Sequence, residues 1–116
     1  MSTVLFGIKN CDTVKKAQRF LTTHDIPFEF SDFRDEQPTA EQIQSWIAIL
    51  GLETLVNKRS TTFRQLDDDA KQSNDAKRWV ELIQQQPTLI KRPLLKHDGS
   101  LYCGFSDKKY QEIFHV

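Results

Sequence analysis

The sequence predicts a single α/β domain over residues 1–116, with the order β-α-β, a helical stretch, then β-β-α. Three observations predict it. The run Thr3 to Ile8 is β-branched and aromatic, ends in polar Lys9-Asn10, and passes into a stretch with helical apolar spacing. Thr39-Ala40-Glu41-Gln42 is a capping box that starts a helix in the middle of the chain. Asp98-Gly99 between two apolar runs signals a hairpin near the C-terminus.

Length and composition bound the reading. A chain of 116 residues falls within the usual size of one domain. Its 38% hydrophobic and 28% charged residues suit a soluble protein with a packed core rather than a disordered chain. Sixteen Lys and Arg balance sixteen Asp and Glu, so no global field favours nucleic acid or an acidic membrane, and a charged partner has to meet a local patch. The apolar N-terminal run is too short to span a bilayer and lacks the basic start and cleavage site of a signal peptide. A cytoplasmic monomer without nucleic-acid or membrane partners is therefore expected. Two cysteines, Cys11 and Cys103, cannot build a disulfide framework, and in a reducing compartment both are thiols.

Each element has its own signal. Strand one covers Thr3 to Ile8. In helix one, about Asp12 to His24, Val14, Ala17, Phe20 and Leu21 share a face, with Lys15, Lys16 and Arg19 mostly outside it. Pro27 blocks its continuation, and Phe28, Phe30 and Phe33, with Glu29 and Asp32 between them, read imperfectly as a second half-buried strand. Ile43, Trp46, Ile47 and Leu50 form the core stripe of the capped helix, and Gly51 suits a left-handed stop. Leu52 to Thr62 reads as a polar loop interrupted by Leu55 and Val56, Phe63 to Leu66 as one helical turn, and Asp67-Asp68-Asp69 as a solvated face. A further helix spans about Asn74 to Gln85 with Trp79, Leu82 and Ile83 inward, until Pro87 prevents extension. Leu94 to Lys96 and Leu101 to Cys103 are the antiparallel strands of the hairpin. Ser106 caps a last helix whose Tyr110, Ile113 and Phe114 share a face.

Cys11 stands at the junction of strand one and helix one. Unpaired backbone amides and the helix dipole there stabilise an anion, and a thiolate is one. With Lys9 and Lys15 nearby in sequence, its thiol is expected to ionise below the reference value of about 8.5. An inert, half-buried cysteine is the competing reading. Val14 occupies the second cysteine position of a Cys-x-x-Cys motif, so exchange with a neighbouring cysteine is excluded. Arg92 precedes Pro93, which favours extended backbone at Arg92 and admits a cis bond. Its planar fork would recognise a carboxylate or oxyanion if the segment lies beside Cys11. Cys103 reads as a small core residue of a strand. His24, His97 and His115 are scattered without metal-ligand spacing, so no metal site is expected, and no glycine-rich phosphate loop exists.

The string Phe6-Gly7-Ile8-Lys9-Asn10-Cys11-Asp12-Thr13-Val14-Lys15-Lys16-Ala17 resembles the opening of the arsenate-reductase-like family, in its YffB branch within the wider ArsC/Spx group. Asp32-Phe33-Arg34, Asn57-Lys58-Arg59-Ser60-Thr61, Pro87-Thr88-Leu89-Ile90-Lys91-Arg92-Pro93-Leu94 and Gly104-Phe105-Ser106 follow in the family's order. The resemblance implies a thioredoxin-like four-stranded mixed sheet with a helical insertion, with Cys11 as the nucleophile. It also implies that Arg92-Pro93 packs beside Cys11 with a cis bond. Arg59 and Arg92 would face the oxyanion or glutathione-derived group, joined in substrate binding by Lys9, Lys15 and Pro93. Two departures stand out. The resembling arsenate reductases carry an arginine after the last strand's glycine, where this chain has Phe105. They also carry a histidine four residues before the nucleophile, where it has Gly7. Arsenate is therefore a doubtful substrate, and glutathione-dependent thiol reduction survives the loss better. With no bound cofactor expected, glutathione would be the co-substrate, and glutathione or glutaredoxin the partner that resolves a Cys11 adduct. The alternative is a non-catalytic Spx-like regulator that docks on RNA polymerase.

Overall fold

The computed structural model describes residues 3–116. These gather into two compact units: a sheet unit formed by the chain through Asp35 together with Arg92–Val116, and a helical unit, Glu36–Lys91.

The sheet unit is built on β1 (Thr3–Gly7), β2 (Glu29–Asp32), β3 (Leu94–His97) and β4 (Ser100–Cys103), in the order β2-β1-β3-β4. β1 and β2 are parallel, which requires a crossover, and α1 (Asp12–Thr23) supplies it. β3 runs antiparallel to β1, and β4 to β3. The hairpin turn is Asp98-Gly99, both at positive φ (50° and 81°), so the strands extend one residue further on each side than expected, to His97 and Ser100. Leu5, Val14, Ala17, Leu21, Leu95 and Tyr110, the last on α7 (Asp107–Phe114), are fully buried and form the core with Phe20. Burying each leucine contributes about 1.5–3 kcal/mol. The four residues expected on the inner face of α1 are the four that are buried. This β-α-β plus β-β-α arrangement of a mixed four-stranded sheet is thioredoxin-like, as the family resemblance implied, with the element order read from the sequence.

The second strand departs from the expectation. β2 ends at Asp32, whose carboxylate is buried, while Phe33 lies in the following turn and stacks on Phe6 with ring centroids 6.2 Å apart. The strand read imperfectly from the phenylalanines stops short of Phe33 because the buried Asp32 carboxylate finds its hydrogen-bond partners in the turn and the neighbouring loop.

The helical unit contains α2 (Ala40–Leu50), α3 (Leu52–Leu55), α4 (Thr61–Arg64), α5 (Asp68–Gln72), α6 (Ala76–Gln85) and a 3₁₀ turn, Pro87–Leu89. The capping box is complete: Gln42 N–H donates to Thr39 Oγ1 at 3.1 Å, and Thr39 N–H to Gln42 Oε1 at 3.0 Å. Gly51 has φ 81° but ψ 154°, so it is not the expected left-handed stop; it redirects the chain straight into α3. The polar loop expected over Leu52 to Thr62 is likewise corrected. Leu55 and Val56 are buried, with Val56 bridged to Ile90, and these two apolar residues pull the segment into the unit's core. The turn expected at Phe63 to Leu66 starts two residues earlier, because Ser60 accepts the Phe63 amide and caps it. Trp79, Val80 and Ile83 are the buried residues of α6, with Leu82 only partly covered. The acidic run is exposed, as expected, and Asp67 also caps α5.

Candidate active site

The C-terminal end of β1 is where the chemistry-bearing residues of the sheet unit gather. Register places Gly7 opposite Asp32 on β2, Phe6 opposite Leu94 on β3, and Leu94 opposite Cys103 on β4. The loop after β1 therefore leaves the sheet at the same end at which Arg92-Pro93 enters β3 and Gly104-Phe105 leaves β4. The Arg92-Pro93 bond is cis, and Gly104 N–H donates to the Pro93 carbonyl at 2.9 Å, which ties these two segments together.

Cys11 is the N-cap residue of α1, with extended backbone (φ −135°, ψ 123°) and a carbonyl that accepts the Lys15 amide at 3.0 Å. Its side chain makes no capping hydrogen bond, so the sulfur is not spent on the first turn. The residue is half-buried and packs against the rim of the core.

Three anchors hold the loop that carries it. Asp32 Oδ2 accepts the Lys9 amide at 2.9 Å, while Oδ1 accepts the Arg34 amide at 2.7 Å. Phe33 N–H donates to the Gly7 carbonyl at 2.8 Å. Lys9 Nζ meets Asp35 Oδ2 at 2.9 Å, and this bond with the neighbouring negative charge raises the Lys9 ammonium above its ordinary value. That pair is exposed and adds little stability, whereas the two bonds to a buried carboxylate are charge-assisted and short. Asp32 is a positioning residue that sequence reading placed merely between core phenylalanines. Its bond to Arg34 has the two-residue spacing of a local Asx turn and was legible in principle; its bond across to Lys9 was not.

The sheet unit thus brings Lys9, Cys11, Lys15, Arg92 and Pro93 to one body, with Lys9 engaged by Asp35, Lys15 exposed, Arg92 half-buried and Pro93 buried. Arg59 belongs to the helical unit, in an exposed turn where its amide donates to Asn57 Oδ1 at 3.1 Å. Cys103 is buried on β4, and both cysteines are thiols. Val14, at the position a Cys-x-x-Cys motif would use, is fully buried and faces Gly7: a Cβ built at Gly7 would stand 2.7 Å from Val14 Cγ2. The departure at position 7 and the valine in the Cys-x-x-Cys position are therefore one packing contact. Phe105, where the resembling reductases place an arginine, turns its ring onto Tyr110 and Phe20, with centroids 4.7 and 6.0 Å away. Of the histidines, His97 pairs with Thr3 Oγ1 at 2.8 Å, and His24 and His115 end their helices. Among the described residues no His, Cys, Asp and Glu side chains converge as a metal-binding group, and no helix is long and apolar enough to cross a membrane.

Comparison with known proteins finds relatives of the same fold along nearly the whole chain. An uncharacterized protein of Haemophilus influenzae is 42% identical over 110 residues, covering 95% of this chain and 96% of its own. The global transcriptional regulator Spx of Listeria monocytogenes is 28% identical over 94% of this chain and 84% of that protein. Among solved structures, a YffB protein superposes with a TM-score of 0.89 at 38% identity, covering 96% of this chain and 97% of that one. An arsenate reductase (ArsC) related protein from Brucella melitensis gives 0.80 at 40% identity, covering 100% and 97%. The model of the ArsC family matches residues 6–113, and with the cysteine at the head of α1 and the cis proline at the same end of the sheet, the chain belongs to the ArsC family.

Proposed function

We propose that the protein is a glutathione-dependent thiol reductase working through the single nucleophile Cys11, with Arg92 holding the negative group of the substrate. The observation that carries the reading is a half-buried cysteine at the N-cap of α1 whose sulfur is not spent on capping, at the sheet end where Arg92-Pro93 enters β3. The Cys11 thiolate is the nucleophile of this reading. It attacks a disulfide R–S–S–R′ and expels R′–S⁻, leaving Cys11–S–S–R. A glutathione thiolate then attacks that mixed disulfide, regenerates Cys11 and leaves R–S–SG. A second glutathione reduces R–S–SG to the thiol, so two glutathione molecules become one glutathione disulfide while the substrate gains two electrons and two protons. Glutaredoxin substitutes for glutathione in the resolving step. An external resolving thiol is required because Val14 fills the motif position and Cys103 is buried on β4.

The test is alkylation rate against pH for the wild type, Cys11→Ser and Cys103→Ser, with turnover of a glutathionylated peptide alongside. Cys11 is expected to be the fast thiol, and its serine variant to lose all turnover. Equal reactivity of the two cysteines, or turnover surviving in Cys11→Ser, overturns the mechanism. With Phe105 engaged by Phe20 and Tyr110 rather than an arginine present, arsenate turnover is expected to be weak or absent in the same assay.

The likeness to Spx regulators supports a second reading, a non-catalytic regulator that binds RNA polymerase. Capture of polymerase by the Cys11→Ser variant, with no peptide turnover by the wild type, would favour it.

A further inference from the structure

Outside the Cys11 loop, the sheet unit holds a groove of about 360 Å³ between α1 and α7, within the usual range of small-ligand sites. Lys16, Arg19, Phe20 and Thr23 line it from α1, a 3–4 residue spacing that defines one helical face. His24 closes the α1 end, and Phe105, Asp107 and Gln111 form the opposite wall. At 1.5 Å per residue, Lys16 lies about 7 Å along α1 from Cys11 and Thr23 about 18 Å, so the groove runs away from the nucleophile.

Its chemistry is mixed in a specific way. Lys16 and Arg19 are exposed and make no ion pair among the described residues, although the chain carries as many acids as bases. Half-buried Phe105 contributes the main aromatic surface; Phe20 belongs to the core and is only 7% exposed, its ring tilted at 66° to that of Phe105 and 4.3 Å from the ring of His24. Thr23 and Gln111 add a hydroxyl and an amide. Asp107, in the first turn of α7, disfavours an anion on that wall, so a negative group is directed to the α1 side. An inorganic oxyanion would leave the aromatic surfaces unused, and a cation would meet Lys16 and Arg19.

The geometry points to a binding site for a planar aromatic carboxylate of one or two rings. The carboxylate takes the fork of Arg19 with Lys16 beside it, and the ring packs against Phe105, with the small exposed part of Phe20 beside it.

The experiment is a titration of the ¹⁵N-labelled protein with 2-naphthoate, followed by backbone amide shifts, against 2-naphthalenemethanol as the uncharged analogue. Saturable shifts confined to the amides of Phe20, Thr23, Phe105, Gln111 and their neighbours are expected. The alcohol should bind at least tenfold more weakly, as should naphthoate with Arg19→Gln. Arg19 is exposed, so that variant keeps the fold. Cys11→Ser should bind naphthoate like the wild type, which separates this site from the reductase reading. Shifts that do not saturate, equal binding of acid and alcohol, wild-type affinity in Arg19→Gln, or binding that depends on Cys11 would overturn the proposal.

Discussion

Replacing Gly7 by alanine is expected to destabilise the sheet unit by about 1–3 kcal/mol, the ordinary cost of overpacking a tight core. The added methyl would stand 2.7 Å from Val14 Cγ2 and 3.3 Å from Cγ1, where carbon–carbon contacts normally begin near 3.5 Å. Neither partner can yield cheaply. Gly7 lies on β1 between β2 and β3, in register with Asp32, and Val14 is fully buried with a β-branched side chain held to one rotamer in α1. Val14→Ala alone removes two buried methyl groups and costs about 2–3 kcal/mol, including the space it leaves. The double variant Gly7→Ala/Val14→Ala moves one methyl into that space, so its loss is expected to be at least about 1 kcal/mol smaller than the sum of the singles. Urea unfolding curves for the four proteins give the cycle, and a slope unchanged among them licenses the comparison. A Gly7→Ala protein within about 0.5 kcal/mol of wild type, or a strictly additive double variant, refutes the packing argument. The functional consequence is that a histidine at position 7, which the resembling arsenate reductases carry, needs far more room than the methyl that already collides. Point substitution alone would not restore it.

Asp32→Asn removes the charge that accepts the Lys9 and Arg34 amides and is expected to cost about 1.5–3 kcal/mol and to slow alkylation of Cys11; unchanged values for both would show that the loop is held elsewhere. Burial, with the nearby Cys103 adding to it, pushes the Tyr110 hydroxyl well above its ordinary value, so the fold keeps a proton that the unfolded chain releases above about pH 10. Stability therefore falls with rising pH in that range, by about 1.4 kcal/mol per pH unit from this group, and Tyr110→Phe should remove that part of the slope. Below pH 9 the same variant should cost little, because Tyr110 Oη makes no hydrogen bond among the described residues; equal slopes above pH 10 in both proteins would refute this reading. Arg92→Ala is expected to weaken glutathione binding by about one to two decades, the worth of a charged hydrogen bond of roughly 1.5–3 kcal/mol, while Lys77→Ala, exposed on α6, leaves it unchanged. Unaltered binding in Arg92→Ala would remove it from the site.

Local signals determined much of this protein in the sequence itself. The β-branched run before a polar break, the apolar face of α1, the Thr39–Gln42 box, the Asp98-Gly99 turn and the Ser106 cap each act within a few residues, and each stands where it was read. A cysteine at a strand-to-helix junction, with no partner in the Cys-x-x-Cys position, was equally legible. Tertiary structure decided the rest, because the deciding contacts join residues far apart in the chain. Lys9 meets Asp32 and Asp35 across more than twenty residues, which commits its ammonium to Asp35 and makes Asp32 the anchor of the nucleophile's loop. Leu55 and Val56 turn a nominal loop into α3 and a bridge only because Ile90 and Lys91 return to pair with them. Gly7 needs its missing side chain because α1 crosses β1 with Val14 at that point. A sequence records the residue types that make such contacts possible; only the fold fixes which of them meet, since packing and buried hydrogen bonding are selected by the whole core rather than by neighbours along the chain.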